Sequence, residues 1–153
     1  MPNWIEGTLK IRGNDEDLKR FFKEGLEAST TAGYKKSDEE AVKCDLEGSW
    51  REVWLHDEPH IKGTRRAFVE NNYICWEKAY DCVAMNIKQA WAFNTDEFQK
   101  ISKQFNLDIR FWGVEKGMEF CQDVEISRGT ITRNDELKYD DFIWDCPMPL
   151  LGG

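Results

Sequence analysis

The sequence predicts an α+β fold, an antiparallel sheet with its helices gathered on one face. Three observations predict it. Between Val83 and Phe93 the side chains divide at a two-residue period, with Val83, Met85, Ile87, Gln89, Trp91 and Phe93 on one side and Asn86, Lys88 and Ala90 on the other. Asn94-Thr95 then offers a helix cap, and Phe98, Ile101 and Phe105 follow at helical spacing. Leu107, Ile109 and Phe111 restore the two-residue period, and Glu115-Lys116-Gly117 supplies a turn.

The other elements follow in order. Ile5, Leu9 and Ile11 alternate with Glu6, Thr8, Lys10 and Arg12, the pattern of a half-buried strand. Asn14 caps a helix whose first turn holds Asp15, Glu16 and Asp17 and whose apolar stripe is Leu18, Phe21, Phe22 and Leu26. Ser37-Asp38-Glu39-Glu40 matches a capping box and predicts a short helix to about Asp45. Trp50 to His56 reads as a strand, and Asp57-Glu58-Pro59 with Gly63 marks a loop over 57–63. Arg65–Glu70 and Tyr73–Trp76 are extended and separated by the turn-prone Asn71-Asn72. A hairpin returns through Met118 to Ile126, and Gly129-Thr130-Ile131 adds a further short strand. The tail from Tyr139 to Gly153 is not helical in pattern, and its Phe142, Ile143 and Trp144 predict that it docks on the rest of the chain.

This order is that of a ferredoxin-like split βαβ sandwich with an added C-terminal hairpin strand. The expected organisation is a domain over residues 1–131, with an irregular insertion at about 28–60, and an acidic and aromatic tail over 132–153.

Composition limits the function. Of 153 residues, 41% are hydrophobic and 13% aromatic, enough for a packed core. A net charge of −8 argues against wrapping duplex nucleic acid and favours a basic partner, including a nucleic-acid-binding protein. Cys44, Cys75, Cys82, Cys121 and Cys146 form no CxxC pair, no secretory signal precedes them, and no apolar run approaches the roughly 20 residues of a membrane helix. A cytoplasmic protein with reduced thiols is expected.

Several short motifs point to a family. Pro2-Asn3-Trp4 opens the first strand, Gly63-Thr64 precedes the second, Ala90-Trp91 closes the long third strand, and Glu115-Lys116-Gly117-Met118-Glu119-Phe120 follows the last helix. In these the chain resembles the Api92-like, or YubB ferredoxin-like, domain family of phages and plasmids, from Met1 to about Ile131. It departs at Ala92-Phe93, where that pattern has a proline-containing stretch, and residues 28–60 and the tail do not match. The resemblance implies a mobile-element accessory protein with ferredoxin-like topology, and it supplies no catalytic residue.

The residues offer little chemistry of their own. His56-Asp57-Glu58-Pro59-His60 is the one histidine cluster; its donors could bind a transition metal, but a solvated loop explains them more simply. Glu115 could pair with Asp108 or Asp123 for acid–base work, although turn chemistry accounts for it too. No catalytic residue, metal or cofactor is expected. What remains is binding by one of two surfaces. In the first, Asp15, Glu16, Asp17, Asp38, Glu39, Glu40, Asp140 and Asp141 converge, imitate a phosphate backbone and occupy a basic groove on a host nucleic-acid-handling or defence enzyme, such as a CRISPR nuclease. In the second, the sheet face away from the helices carries Trp4, Lys10, Asn86, Lys88, Arg110 and Trp112 and binds a small nucleotide or single-stranded RNA. That face stays free only if neither the tail, through Phe142 and Trp144, nor the 28–60 insertion covers it.

Overall fold

Ile5, Leu9 and Ile11 lie along one side of strand β1 (Trp4–Arg12), and Asn14 accepts from the Asp17 N–H to cap helix α1 (Asp15–Glu24). These come from a computed structural model, which describes residues 1–31, 34–35 and 37–153. The chain continues through β2 (Leu26–Glu27), β3 (Thr30–Thr31), β4 (Tyr34–Lys35), α2 (Asp38–Ala41), β5 (Val42–Asp45) and β6 (Trp50–Leu55). Next come β7 (His60–Ile61), β8 (Ala67–Val69), β9 (Tyr73–Glu77), β10 (Cys82–Ala90) and α3 (Thr95–Phe105). It ends with β11 (Asp108–Glu115), β12 (Phe120–Ser127), β13 (Thr130–Leu137) and the single turn α4 (Phe142–Asp145).

The result is an α+β fold with a mostly antiparallel sheet. Eight strands share that sheet in the order β13-β12-β11-β1-β10-β8-β7-β2. Ile11 of β1 faces Val83 of β10 on one side and Ile109 of β11 on the other, so the two strands joined by α3 are separated by β1. The sheet is wider than expected at both edges. Thr130-Ile131 is the start of a strand that runs to Leu137 and pairs with β12 across a register shift at Thr132, so the expected boundary at residue 131 falls inside the sheet. At the other edge the two-residue strand β7 interrupts the expected 57–63 loop and pairs with both β8 and β2.

The insertion is more ordered than its sequence suggests, although residues 32, 33 and 36 lie outside the described residues. The Ser37 capping box is present, with Glu40 reaching back to the Ser37 N–H, but the helix stops at Ala41. Val42–Asp45, expected to be helical, is strand β5, because Val42 and Cys44 pack inward while β6 supplies backbone partners. β5, β6 and β9 form a separate three-stranded sheet. Its inner face buries Arg51, Val53, Leu55, Ile74 and Trp76 against α1, with Phe22 and Trp76 rings 5.1 Å apart. Arg51 is only 2% exposed and donates through Nε and Nη2 to the two oxygens of Asp15, each at 2.9 Å. The Arg51 hydrogen bonds hold the Asp15 carboxyl below its ordinary value.

The main core lies between the sheet and its helices. Ile5, Leu9, Ile11, Val83, Ile87, Leu107, Ile109 and Phe111 are all buried there, on the side expected. Phe93 stacks between Phe98 and Phe111, with ring centroids 4.2 and 4.1 Å away.

A second, smaller cluster lies on the opposite face. Val114 and Cys121 of the sheet bury Phe142 and Cys146 of the tail, with Trp112, Tyr139 and Leu151 half-buried around them. The tail therefore docks, and it makes one helical turn where none was expected, with Asp141 accepting from the Trp144 N–H. That turn aims Trp144 outward, 86% exposed, so only Phe142 of the two expected aromatics packs. The Cys121 and Cys146 sulfurs lie 3.7 Å apart as free thiols, and burial pushes Cys121 up to about 11. Among the described residues no helix is long and apolar enough to cross a membrane.

Candidate functional site

The acids expected to form one surface are distributed and mostly engaged. Asp15 pairs with Arg51 and Lys19, Glu16 with Lys19, and Asp17 with Arg20 while accepting from Asn106. Asp38 accepts from the Ala28 N–H, Glu40 closes its capping box, and Asp141 caps α4; Glu39 and Asp140 are exposed. The first turn of α1 lies beyond the Arg12 end of β1, on the helix-covered side. The tail docks on the opposite side beside Val114, whose partner in β1 is Glu6. A strand the length of β1 spans roughly 25 Å, so the tail acids and the α1 acids do not meet.

The open sheet face is largely spoken for as well. Lys88 donates to Glu58 at 2.6 Å and, with Arg66, lies over the Trp4 ring at 5.3 and 5.2 Å. Arg110 pairs with Asp123, which is thereby held below its ordinary value. Leu151 of the tail packs in the same cluster as Trp112, and with Met148 it lines a cavity beside that residue. Lys10 and Asn86 remain exposed.

The two catalytic possibilities fare no better. Asp108 pairs with Arg12 and Asp123 with Arg110 and Arg133, whereas the buried Glu115 accepts from the Gly117 and Met118 N–H groups at 2.6 and 2.7 Å. The Glu-Lys-Gly motif thus locks its own hairpin turn. A Cβ at Gly117 would come within 2.5 Å of the Asn3 amide, which explains the glycine. His60 is held between Glu27 and the Thr64 carbonyl at 2.8 and 2.9 Å, and His56 is exposed. Among the described residues no cluster of three or more histidine, cysteine or acidic side chains is arranged for a metal.

The arrangement that stands apart is where β10 gives way to α3. The expected strand stops at Ala90 instead of running to Phe93. Trp91 takes φ +72°, its N–H donates to the Asn3 carbonyl at 2.7 Å, and the Ala92 N–H returns to the Ala90 carbonyl at 3.0 Å. That is a γ-turn of positive φ, a rare and strained form, with a bulky aromatic at its centre. Trp91 is nevertheless 58% exposed, so burial of its ring does not explain the strain.

Two buried glutamines hold the segment that follows this turn. Gln89 donates to Glu97 at 2.8 Å and accepts from the Asn94 N–H at 2.9 Å. Gln122 accepts from the Phe93 N–H at 2.8 Å and donates to the Phe93 carbonyl at 3.2 Å. The Glu97 carboxylate also accepts from the Arg65 N–H at 3.0 Å, which ties the approach to β8 to the start of α3. The segment lines a cleft of about 630 Å³. Its lining carries charges of both signs, Arg65 and Arg66 with Asp96, Glu97 and Glu136. Among the described residues the Arg65 guanidinium has no ion pair.

Sequence reasoning placed Ala90-Trp91 at a strand end but treated Trp91 as one more alternating residue. The available signal was Gln89, an amide at the end of the stripe Val83, Met85 and Ile87. A polar side chain at a core position has to be hydrogen-bonded there, and here its partners are the Asn94 N–H and the Glu97 carboxylate at the start of α3. No protein-family model matches the chain, and no curated protein or solved structure matches it either.

Proposed function

We propose that this chain is a binding protein with no chemistry of its own, which recognises another polypeptide through the Trp91 cleft. The carrying observation is the exposed Trp91 at φ +72°, with its N–H bonded to the Asn3 carbonyl and the chain just beyond it, at Phe93 and Asn94, pinned by two buried glutamines. Strain of this kind persists where the surroundings over-determine it, and it gathers at recognition and catalytic sites. Tryptophan and arginine are also the residues most enriched at binding hot spots. The mixed charges of the lining suit a protein surface better than polyphosphate, which would meet Asp96 and Glu136 as well as the arginines. The acidic-surface version draws less support, because its tail and α1 groups lie on opposite sides of the sheet.

On this reading the core is ferredoxin-like. In its favour, the four central strands follow the order β11-β1-β10-β8 with α1 and α3 on one side; the remaining strands are then additions at both edges. The resemblance to a family of phages and plasmids makes a host protein in the cytoplasm the natural partner.

The test compares Trp91→Ala with Trp91→Gly. Glycine accepts a positive φ without cost, so the glycine variant should be the more stable of the two by about 1 kcal/mol in denaturant titration. Both should lose any host protein that the wild type retains in affinity capture. Equal capture by all three would remove the cleft from the proposal, and a less stable glycine variant would remove the strain.

A further inference from the structure

The three-stranded sheet presents an outer face that nothing in the described residues covers. Alternation along β6 turns Arg51, Val53 and Leu55 inward and leaves Trp50, Glu52 and Trp54 outward. On β9 the same alternation turns Tyr73 and Glu77 outward, opposite Trp54 and Trp50 respectively. Trp50, Trp54 and Tyr73 are 56%, 37% and 44% exposed. The Trp54 and Tyr73 rings meet at 5.7 Å and an angle of 42°, and the Tyr73 hydroxyl donates to Glu52 at 2.7 Å, which fixes the carboxylate beside the ring pair. Asp45 of β5 lies across from Glu52 and adds a third acid, against the single cation Lys43 across from Trp54.

Aromatic faces and carboxylates in alternation are the complement of ammonium and guanidinium groups. Spacing adds a further condition. Trp50, Glu52 and Trp54 recur at roughly 6.6 Å, the interval at which an extended peptide presents its own alternate side chains. We propose that this face takes an extended, arginine- or lysine-rich segment of a partner protein, with alternate basic side chains over Trp50 and Trp54 and against Glu52 and Glu77. The inference uses none of the Trp91 cleft, so either can fail without the other.

Titration of the full chain with a synthetic peptide of alternating arginine and threonine, followed by tryptophan fluorescence, tests it. Saturable binding is expected that weakens as salt rises from about 50 to 200 mM. The same peptide with glutamate for arginine should not bind. Trp54→Ala should weaken the arginine peptide roughly fivefold. The double change Glu52→Gln and Glu77→Gln, which removes charge and leaves the rings, should weaken it about threefold and decides the matter if Trp54→Ala does not fold. Trp144→Ala, on the tail, should bind as the wild type does. Equal binding of the glutamate peptide, or wild-type affinity in the glutamine double variant, would overturn the proposal. So would a sedimenting dimer that Trp54→Ala dissolves, which would give the face to a second copy of this chain.

Discussion

The two sides of the eight-stranded sheet are closed in different ways. On one side α1 and α3 bury a continuous stack of large side chains, in which Phe93, Phe98 and Phe111 touch ring to ring. On the other, the tail covers one end of the sheet through two buried residues, Phe142 and Cys146, and its outermost aromatic, Trp144, is exposed. The helix side is a core in which every residue has neighbours all round. The tail side is a clamp, anchored at Phe142 and by backbone hydrogen bonds between Trp4 and Gly153 at 2.9 and 3.3 Å. Helices that repeat an apolar residue every turn can tile a sheet, whereas a chain with no repeating pattern can only pin it.

Phe111→Ala should give the largest effect, a loss of about 4 kcal/mol in chemical denaturation, because it opens a cavity inside the ring stack. Since Phe111 supports Phe93, amide exchange at Phe93 and Asn94 should also quicken, loosening the Trp91 turn. A loss near 1 kcal/mol would mean that the helix side is packed no better than the tail side.

Phe142→Ala should cost about 2 kcal/mol, less than a main-core phenylalanine because its cluster is small. Exchange should rise through the tail while α1 and α3 stay protected. Uniform loss of protection would show that tail and core unfold as one unit.

A smaller effect separates the sides by acid. The carboxyls of Asp15 and Asp123 are both held below their ordinary values in the folded chain, by Arg51 and Arg110 respectively. A carboxyl depressed in the folded state contributes stability above its unfolded value of about 3.9 and loses it as pH falls through the folded value. Stability should therefore decline from about pH 5 downwards. Asp15→Asn should flatten that decline more than Asp123→Asn, because Arg51 is nearly buried and Arg110 is partly in water. Equal flattening would mean that solvent screens both pairs alike.

What the sequence revealed follows the same division. The helix side was legible because its strands and helices carry period-two and helical patterns, from Ile5 to Phe111, that only one arrangement can bury. The docking of the tail was legible from its apolar content, but not which aromatic would pack, since that depends on one turn capped by Asp141. β5 was misread because Ser37 to Glu40 starts a helix so clearly that nothing local says where it stops. β13 was misread beyond Ile131 because Thr132 to Glu136 is polar on both faces, and backbone pairing with β12 alone makes it a strand. The Trp91 site was hidden for another reason, since a positive φ leaves no mark on a non-glycine residue.

The polar character of β13 has a consequence for the protein in concentrated solution. It is the last strand of its sheet, with its outer row of backbone donors and acceptors facing water along eight residues. Such an edge is a template on which a second molecule could build a continuous ribbon. Adjacent Asp135 and Glu136 put a carboxylate on each face of the strand, so two such edges approaching in antiparallel fashion would crowd four negative charges into one contact. Neutralising both residues should turn a self-avoiding edge into an adhesive one.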